Sequence, residues 1–174
     1  MIISVENLKK HIETSLPDDI LEGKLMALEL MIRKHTNNNF QNRGIRFQCP
    51  IMQTKLYLAT PFLKVGDTVQ ISESIYSDGI YVIKEVEEEF IVLDKPLFDE
   101  SDVLVTKVEY PMDVVFGAIN MMKWDLENRD KVGIQSETIS RRSVTYFNMD
   151  GDNSSMGYPK SLLGFLVPYK KARF

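Results

Sequence analysis

Thr68-Val69-Gln70-Ile71-Ser72, then Ser77-Asp78-Gly79, then the run from Ile80 to Val86, is the stretch whose reading decides the fold. Successive side chains of a strand point to opposite faces, so β-branched and aromatic residues recurring with a period of two mark half-buried strands. Ser77-Asp78-Gly79 supplies turn chemistry between two such runs and predicts a hairpin. Working outward, residues 90–93 and 103–108 continue the period, and a further strand is expected near Leu56-Tyr57-Leu58. Residues 45–110 thus predict about five short strands, enough for a small antiparallel barrel or sandwich.

The flanks read as helices. Ser4 is placed to cap a first helix, with Ile3 and Leu8 as its hydrophobic staple, and that helix is expected to end near Leu16-Pro17. Asp19 with Glu22 reads as a capping box for a second helix. Its apolar stripe is Leu21, Leu25, Leu28 and Ile32, and Asn37-Asn38-Asn39 tolerates a left-handed helix end. After the strand region, Pro111 suits a first helical position, and the helix should run to Glu127 or Asn128. Val115, Ala118, Met122 and Leu126 form one stripe, while Phe116, Ile119, Met121 and Trp124 widen it beyond what a surface helix needs. Those four are the candidate subunit-interface residues. Residues 139–147 alternate like a strand or hairpin. A polar loop follows, then a short helix from Pro159 to Leu166 that Pro168 should end, and a basic, aromatic tail. The expected fold class is α+β. A small helical bundle frame of about four helices plus a short hairpin (1–44 and 111–174) carries an inserted five-stranded antiparallel β-barrel or sandwich (45–110).

With 174 residues, 44% of them hydrophobic, the chain suits one ordinary domain or a domain with an insertion. Its apolar runs are too short to span a membrane, and no export signal opens the sequence. The lone Cys49 cannot form an internal disulfide, which fits assembly in a reducing cytoplasm, and it reads as a small buried thiol. Phosphate-cradling glycine loops and a nucleophile elbow are absent. His11 and His35 are far apart, and no Cys-x-x-Cys spacing offers a transition-metal site. His35 reads as a cation at a helix C-terminus. Asn148-Met149-Asp150-Gly151-Asp152-Asn153 imitates a calcium loop, yet Asn153 stands where glycine is needed and Pro159 where glutamate is needed. The acidic runs look like solvated turns, not tuned acid/base pairs. The sequence therefore predicts no catalytic, cofactor or metal residues, and a protein that is not an enzyme.

Charge is uneven. Net charge is −4, but residues 64–110 hold twelve Asp or Glu against four Lys, leaving the remainder at +4. An acidic barrel repels a polyanion, because non-specific DNA affinity comes from Lys and Arg replacing counterions. The excess basic charge, including Arg141, Arg142 and the tail, suits an acidic protein surface.

Taken in order, several segments resemble the head-tail connector family, the adaptor proteins that attach beneath the portal of long-tailed bacteriophages. They are Ile32-Arg33-Lys34-His35-Thr36-Asn37-Asn38-Asn39-Phe40, the Pro111 helix, residues 133–140 leading to Ser143-Val144-Thr145-Tyr146, and residues 159–169. The resemblance covers about residues 4–40 and 111–174, and the β-insert departs from the minimal family pattern. It implies a homo-oligomeric ring, dodecameric in the family, in a virion assembled in the bacterial cytoplasm. Its partners would be the portal protein and head-completion, stopper or tail proteins. Double-stranded DNA would pass through the lumen without specific binding, and no membrane or cofactor would be involved. It further implies that the C-terminal segment reaches the portal, for which Tyr169, Lys170, Lys171, Arg173 and Phe174 are the candidates. Two alternatives stand beside it: a tail-side completion or stopper protein, and a phage regulatory or nucleic-acid-binding module.

Overall fold

The computed structural model describes residues 1–131, 136–139, 142–145 and 152–172. The chain divides into two compact units, Met1 with Asn39–Tyr110, and Ile2–Asn38 with Pro111–Phe174.

The first unit is a barrel. Strands β1 (Gln41–Met52), β2 (Lys55–Leu56), β3 (Thr68–Ser72), β4 (Gly79–Val86), β5 (Ile91–Leu93) and β6 (Glu100–Val108) close in the order β1-β2-β5-β4-β3-β6. Every pairing is antiparallel. Closure removes free sheet edges, which an open sandwich would leave to be covered some other way. The expected five-stranded barrel or sandwich is thus corrected to a closed barrel of six strands. The additional strand is β1, which contains Pro50, and a proline normally argues against a paired strand. Here the register shifts between Cys49 and Ile51, so Pro50 sits at an irregularity where its missing N–H costs no ladder bond. β1 begins at Gln41, ahead of the boundary expected at residue 45.

Alternation fills the interior. Val69 and Ile71, Tyr81 and Ile83, Ile91 and Leu93, and Val103 and Val105 are buried in one core with Cys49, Ile51 and Leu56. Register makes the pairs explicit: Ile71 lies opposite Val105, and Val69 opposite Tyr81. The predicted tight turn at Ser77-Asp78-Gly79 is instead a wider loop over residues 73–78, entered through Glu73 with a φ of 63°.

The second unit is helical. Helix α1 (Val5–Lys9) is capped by Ser4, whose hydroxyl accepts from the Asn7 amide at 3.3 Å, but it stops far short of Leu16. At its end the Lys10 and His11 amides donate to the Asn7 and Leu8 carbonyls three residues back, a tightened last turn. Helix α2 (Asp18–Thr36) begins after Pro17 with no side-chain cap, so the expected Asp19–Glu22 capping box does not form. Asp18 and Asp19 instead sit in the first turn, where carboxylates favour the helix dipole. Leu21, Leu25, Leu28 and Ile32 are buried along one stripe, as their spacing predicts. Asn37 closes α2 in the left-handed conformation, and the Asn38 amide donates to the Arg33 carbonyl.

Helix α3 (Met112–Asn128) follows Pro111, which sits at its cap. Strands β7 (Ser136–Ile139) and β8 (Arg142–Thr145) form an antiparallel hairpin, beginning earlier than the alternation had placed it. β9 (Ser154–Ser155) and β10 (Tyr158–Pro159) make a small ladder. The final segment, Lys160–Tyr169, is a 3-10 helix with Pro168 inside it, not a helix ended by Pro168. In a 3-10 helix residues three apart eclipse, and Leu163 and Leu166, both buried, are spaced to use that geometry. Gly117 of α3 leaves room for the Phe165 ring, which lies where a Cβ would go.

Candidate functional site

The C-terminal strap is built by backbone groups. Helix α2 ends with carbonyls that have no partner within the helix. The Lys171 amide donates to the Thr36 carbonyl at 2.8 Å. In return, Asn37 Nδ2 donates to the Ala172 carbonyl at 2.8 Å, and Asn38 Nδ2 to the Tyr169 carbonyl at 3.2 Å. At the other side the Tyr169 hydroxyl donates to both carboxylate oxygens of Asp113 at 2.8 Å, and that bond raises its pKa. The consecutive asparagines that end α2 therefore also hold the strap.

This arrangement sorts the expected portal-binding residues. Tyr169 is half-buried and turned to its own unit, whereas Lys170 and Lys171 extend exposed side chains from an anchored backbone. Arg173 and Phe174 lie outside the described residues. His35 is not held as a cation by the helix end: burial, and then the nearby Lys170, lower its pKa.

The expected interface quartet on α3 is divided as well. Ile119 and Met121 are buried within their own unit, so they are not free to meet a partner. Trp124 is half-buried against the Tyr158 ring, 5.4 Å between centroids. Phe116 is exposed, with His11 edge-on to it at 5.9 Å. Met112, one turn earlier and also exposed, shares that surface. The breadth of the apolar face thus serves packing on several sides of α3, and Phe116 with Met112 is what remains outside.

A polar cluster escaped the sequence reading. Asp125, buried in α3, accepts from Lys24 of α2 at 2.8 Å and pairs with Arg129 one turn on. Tyr158 lies at 3.4 Å from the same carboxylate. Arg129 Nη1 also donates to the Gly157 carbonyl at 2.9 Å. Burial opposes ionisation of Asp125 as the largest single influence, but the bonds from Lys24 and Arg129 together outweigh it and lower its pKa. A depression of about 270 Å³ beside the cluster is lined by Leu28, Met31, Met122 and Met156. A carboxylate already neutralised by two cations is a poor proton acceptor, so the cluster ties α2, α3 and the 157–158 turn together. The signal was Asp125 itself, a carboxylate on an apolar helix four residues before an arginine.

In the barrel unit, Glu100 organises the 73–78 loop. Its carboxylate accepts from Ser74 Oγ at 2.6 Å and from the amides of Ile75 and Tyr76 at 2.7 and 3.4 Å. The Ser74 hydroxyl bond, foremost, lowers the Glu100 pKa. Ile75, Tyr76 and Phe98 stand exposed around this loop, with the Tyr76 and Phe98 rings 5.8 Å apart.

Burial, and then Asp102, push the Cys49 thiol up to about 11, which leaves almost no thiolate at neutral pH. Among the described residues no group of three or more His, Cys, Asp or Glu is placed to hold a metal. The calcium-like sequence falls largely outside the described residues, at 148–151. No helix among the described residues is long and apolar enough to cross a membrane. Comparison with protein-family models and with curated proteins finds no match.

Proposed function

We propose that this chain is a structural head-tail connector of a tailed bacteriophage, acting through surfaces that mate with copies of itself and with virion neighbours. The observation that carries the reading is the placement of large apolar side chains in solvent on several separate parts of the fold. Ile20, Met26 and Leu30 lie on α2, Met112 and Phe116 on α3, and Ile75, Tyr76 and Phe98 on the barrel. Scattered apolar residues need no explanation, but clustered ones suit protein contacts. A connector has several different neighbours, and a closed ring alone needs two distinct patches on each copy. The order of connector-like segments along the chain supplies the second support.

Within this reading the anchored strap offers Lys170 and Lys171 to an acidic portal surface, where charge complementarity sets orientation and association rate. The acidic barrel keeps passing DNA from adhering. DNA-filled heads without tails, purified from the encoding phage, provide the test by electron microscopy and mass spectrometry. A ring of this chain on those heads is the expected result; its presence only on detached tails, or in neither particle, overturns the reading. Lys170→Glu with Lys171→Glu should leave the fold intact and abolish co-purification with portal.

A further inference from the structure

Helix α2 has two apolar faces, and its core stripe accounts for only one. Opposite Leu21, Leu25, Leu28 and Ile32 run Ile20, Gly23, Met26, Ala27 and Leu30. Ile20, Met26 and Leu30 are 47%, 50% and 49% exposed, and a Cβ at Gly23 would meet nothing within 4 Å. The helix has 19 residues, a length of about 28 Å, so this face is a continuous strip along a rigid rod.

We infer that this face pairs with the same face of a second copy, the two α2 helices running antiparallel about a two-fold axis near Met26 and Ala27. Charge selects both the partner and the direction. The first turn of the strip carries Asp19 and the last turn carries the exposed Lys34, whereas Arg33 is spent on buried Glu29, 3.1 Å away in its own copy. An antiparallel pair sets Asp19 of one copy against Lys34 of the other at both ends. A parallel pair would set like charges together at both ends, which destabilises. The same register brings Leu30 over Gly23 of the partner, so a branched side chain enters the open space at a glycine, and Met26 meets Ala27. A small residue at each of these layers permits close approach of the two axes.

The pairing does not rest on the connector reading. A two-fold contact closes on itself and cannot continue around a ring, so it is a state of the free chain. A strip about 28 Å long and about 10 Å wide covers roughly 300 Å², below the roughly 800 Å² per partner of a standard stable interface, so association should be weak and concentration-dependent.

Sedimentation velocity over a concentration series of the full chain tests the pairing, with thermal melting as the check on folding. The expected result is a monomer–dimer equilibrium that Leu30→Asp, a change at an exposed position, weakens by about tenfold or more. Lys34→Glu should also weaken it, and Lys34→Glu with Asp19→Lys in the same chain should restore it. A second measurement fixes direction. In a Cys49→Ser background, Ala27→Cys should cross-link to itself through a short bis-maleimide, whereas Asp19→Cys should cross-link to Lys34→Cys and not to itself. A chain that stays monomeric throughout, a dimer indifferent to Leu30→Asp, failure of the charge swap, or self-cross-linking of Asp19→Cys would each overturn the inference. None of these outcomes bears on whether the chain is found on DNA-filled heads.

Discussion

Gly117 and Gly23 both occupy helix interiors, yet alanine should act with opposite sign at the two. Replacing a mid-helix glycine by alanine gains about 1 kcal/mol from backbone entropy and helix propensity. At Gly23 nothing lies within 4 Å of the new Cβ, so that gain is realised in the monomer. At Gly117 the Cβ would fall 2.4 Å from three atoms of the Phe165 ring, where ordinary contact begins at 3.4 Å. The ring must therefore retreat by the difference, taking the 3-10 segment with it or losing its packing against α3. Overpacking of this kind costs about 1–3 kcal/mol, and about 2–3 kcal/mol where the neighbour is tied down, as Phe165 is between buried Leu163 and Leu166. The propensity gain offsets part, leaving Gly117→Ala less stable by about 1–2 kcal/mol. Urea unfolding followed by tryptophan fluorescence reads this directly, because the chain's single tryptophan, Trp124, lies on the same helix. Phe165→Leu should relieve the clash, so the double variant should lose less than the sum of the single ones. If Gly117→Ala matched the parent in stability, or Phe165→Leu gave no relief, the close packing of the strap on α3 would be wrong.

Two further outcomes follow from buried charge. Asp125 has a lowered folded pKa, so its contribution is complete above the ordinary carboxyl value and disappears as pH falls through the folded one. Asp125→Asn should therefore flatten the acid limb of a stability–pH profile below about pH 4. It should cost only about 1–2 kcal/mol at neutral pH, because Lys24 and Arg129 remain more than a third exposed. His35 also has a lowered pKa, which for a histidine means that the unfolded chain takes the proton first. Its contribution is complete above about pH 6.5 and declines as pH falls from there toward the folded value. Lys170→Ala should raise the His35 midpoint seen by NMR titration without returning it fully to the ordinary value, since burial is the larger cause.

Much of the helical unit was legible because its signals are local. The stripe Leu21, Leu25, Leu28, Ile32 and the left-handed Asn37 were each specified within a few residues of chain. The barrel alternation at Val69, Ile71, Tyr81 and Ile83 was equally plain. The sixth strand and the closure were not legible, because closure depends on β1 meeting β6 across a long separation, and β1 carries Pro50, a residue type that argues against a paired strand. The predicted first helix runs too long because Ser4 announces a start, while the three-residue bonds of the Lys10 and His11 amides that tighten its end leave no periodic mark. On α3, hydrophobicity alone could not say which residues face inward. Phe116 stays outside while Ile119 and Met121 do not, since that choice belongs to the packing of α2 and the 3-10 segment around the helix.

Residue type and spacing, which act over one or two turns, determined the elements, the acidic character of the β region and the basic character of the tail. Tertiary structure decided which of those features remain available to a partner. Tyr169 is spent on Asp113 and the backbone of residues 169–172 on the end of α2, while Lys170 and Lys171 stay exposed. The physical reason is that a hydrogen bond or buried face used within the fold is no longer offered outside it, and such use is settled only when distant segments meet.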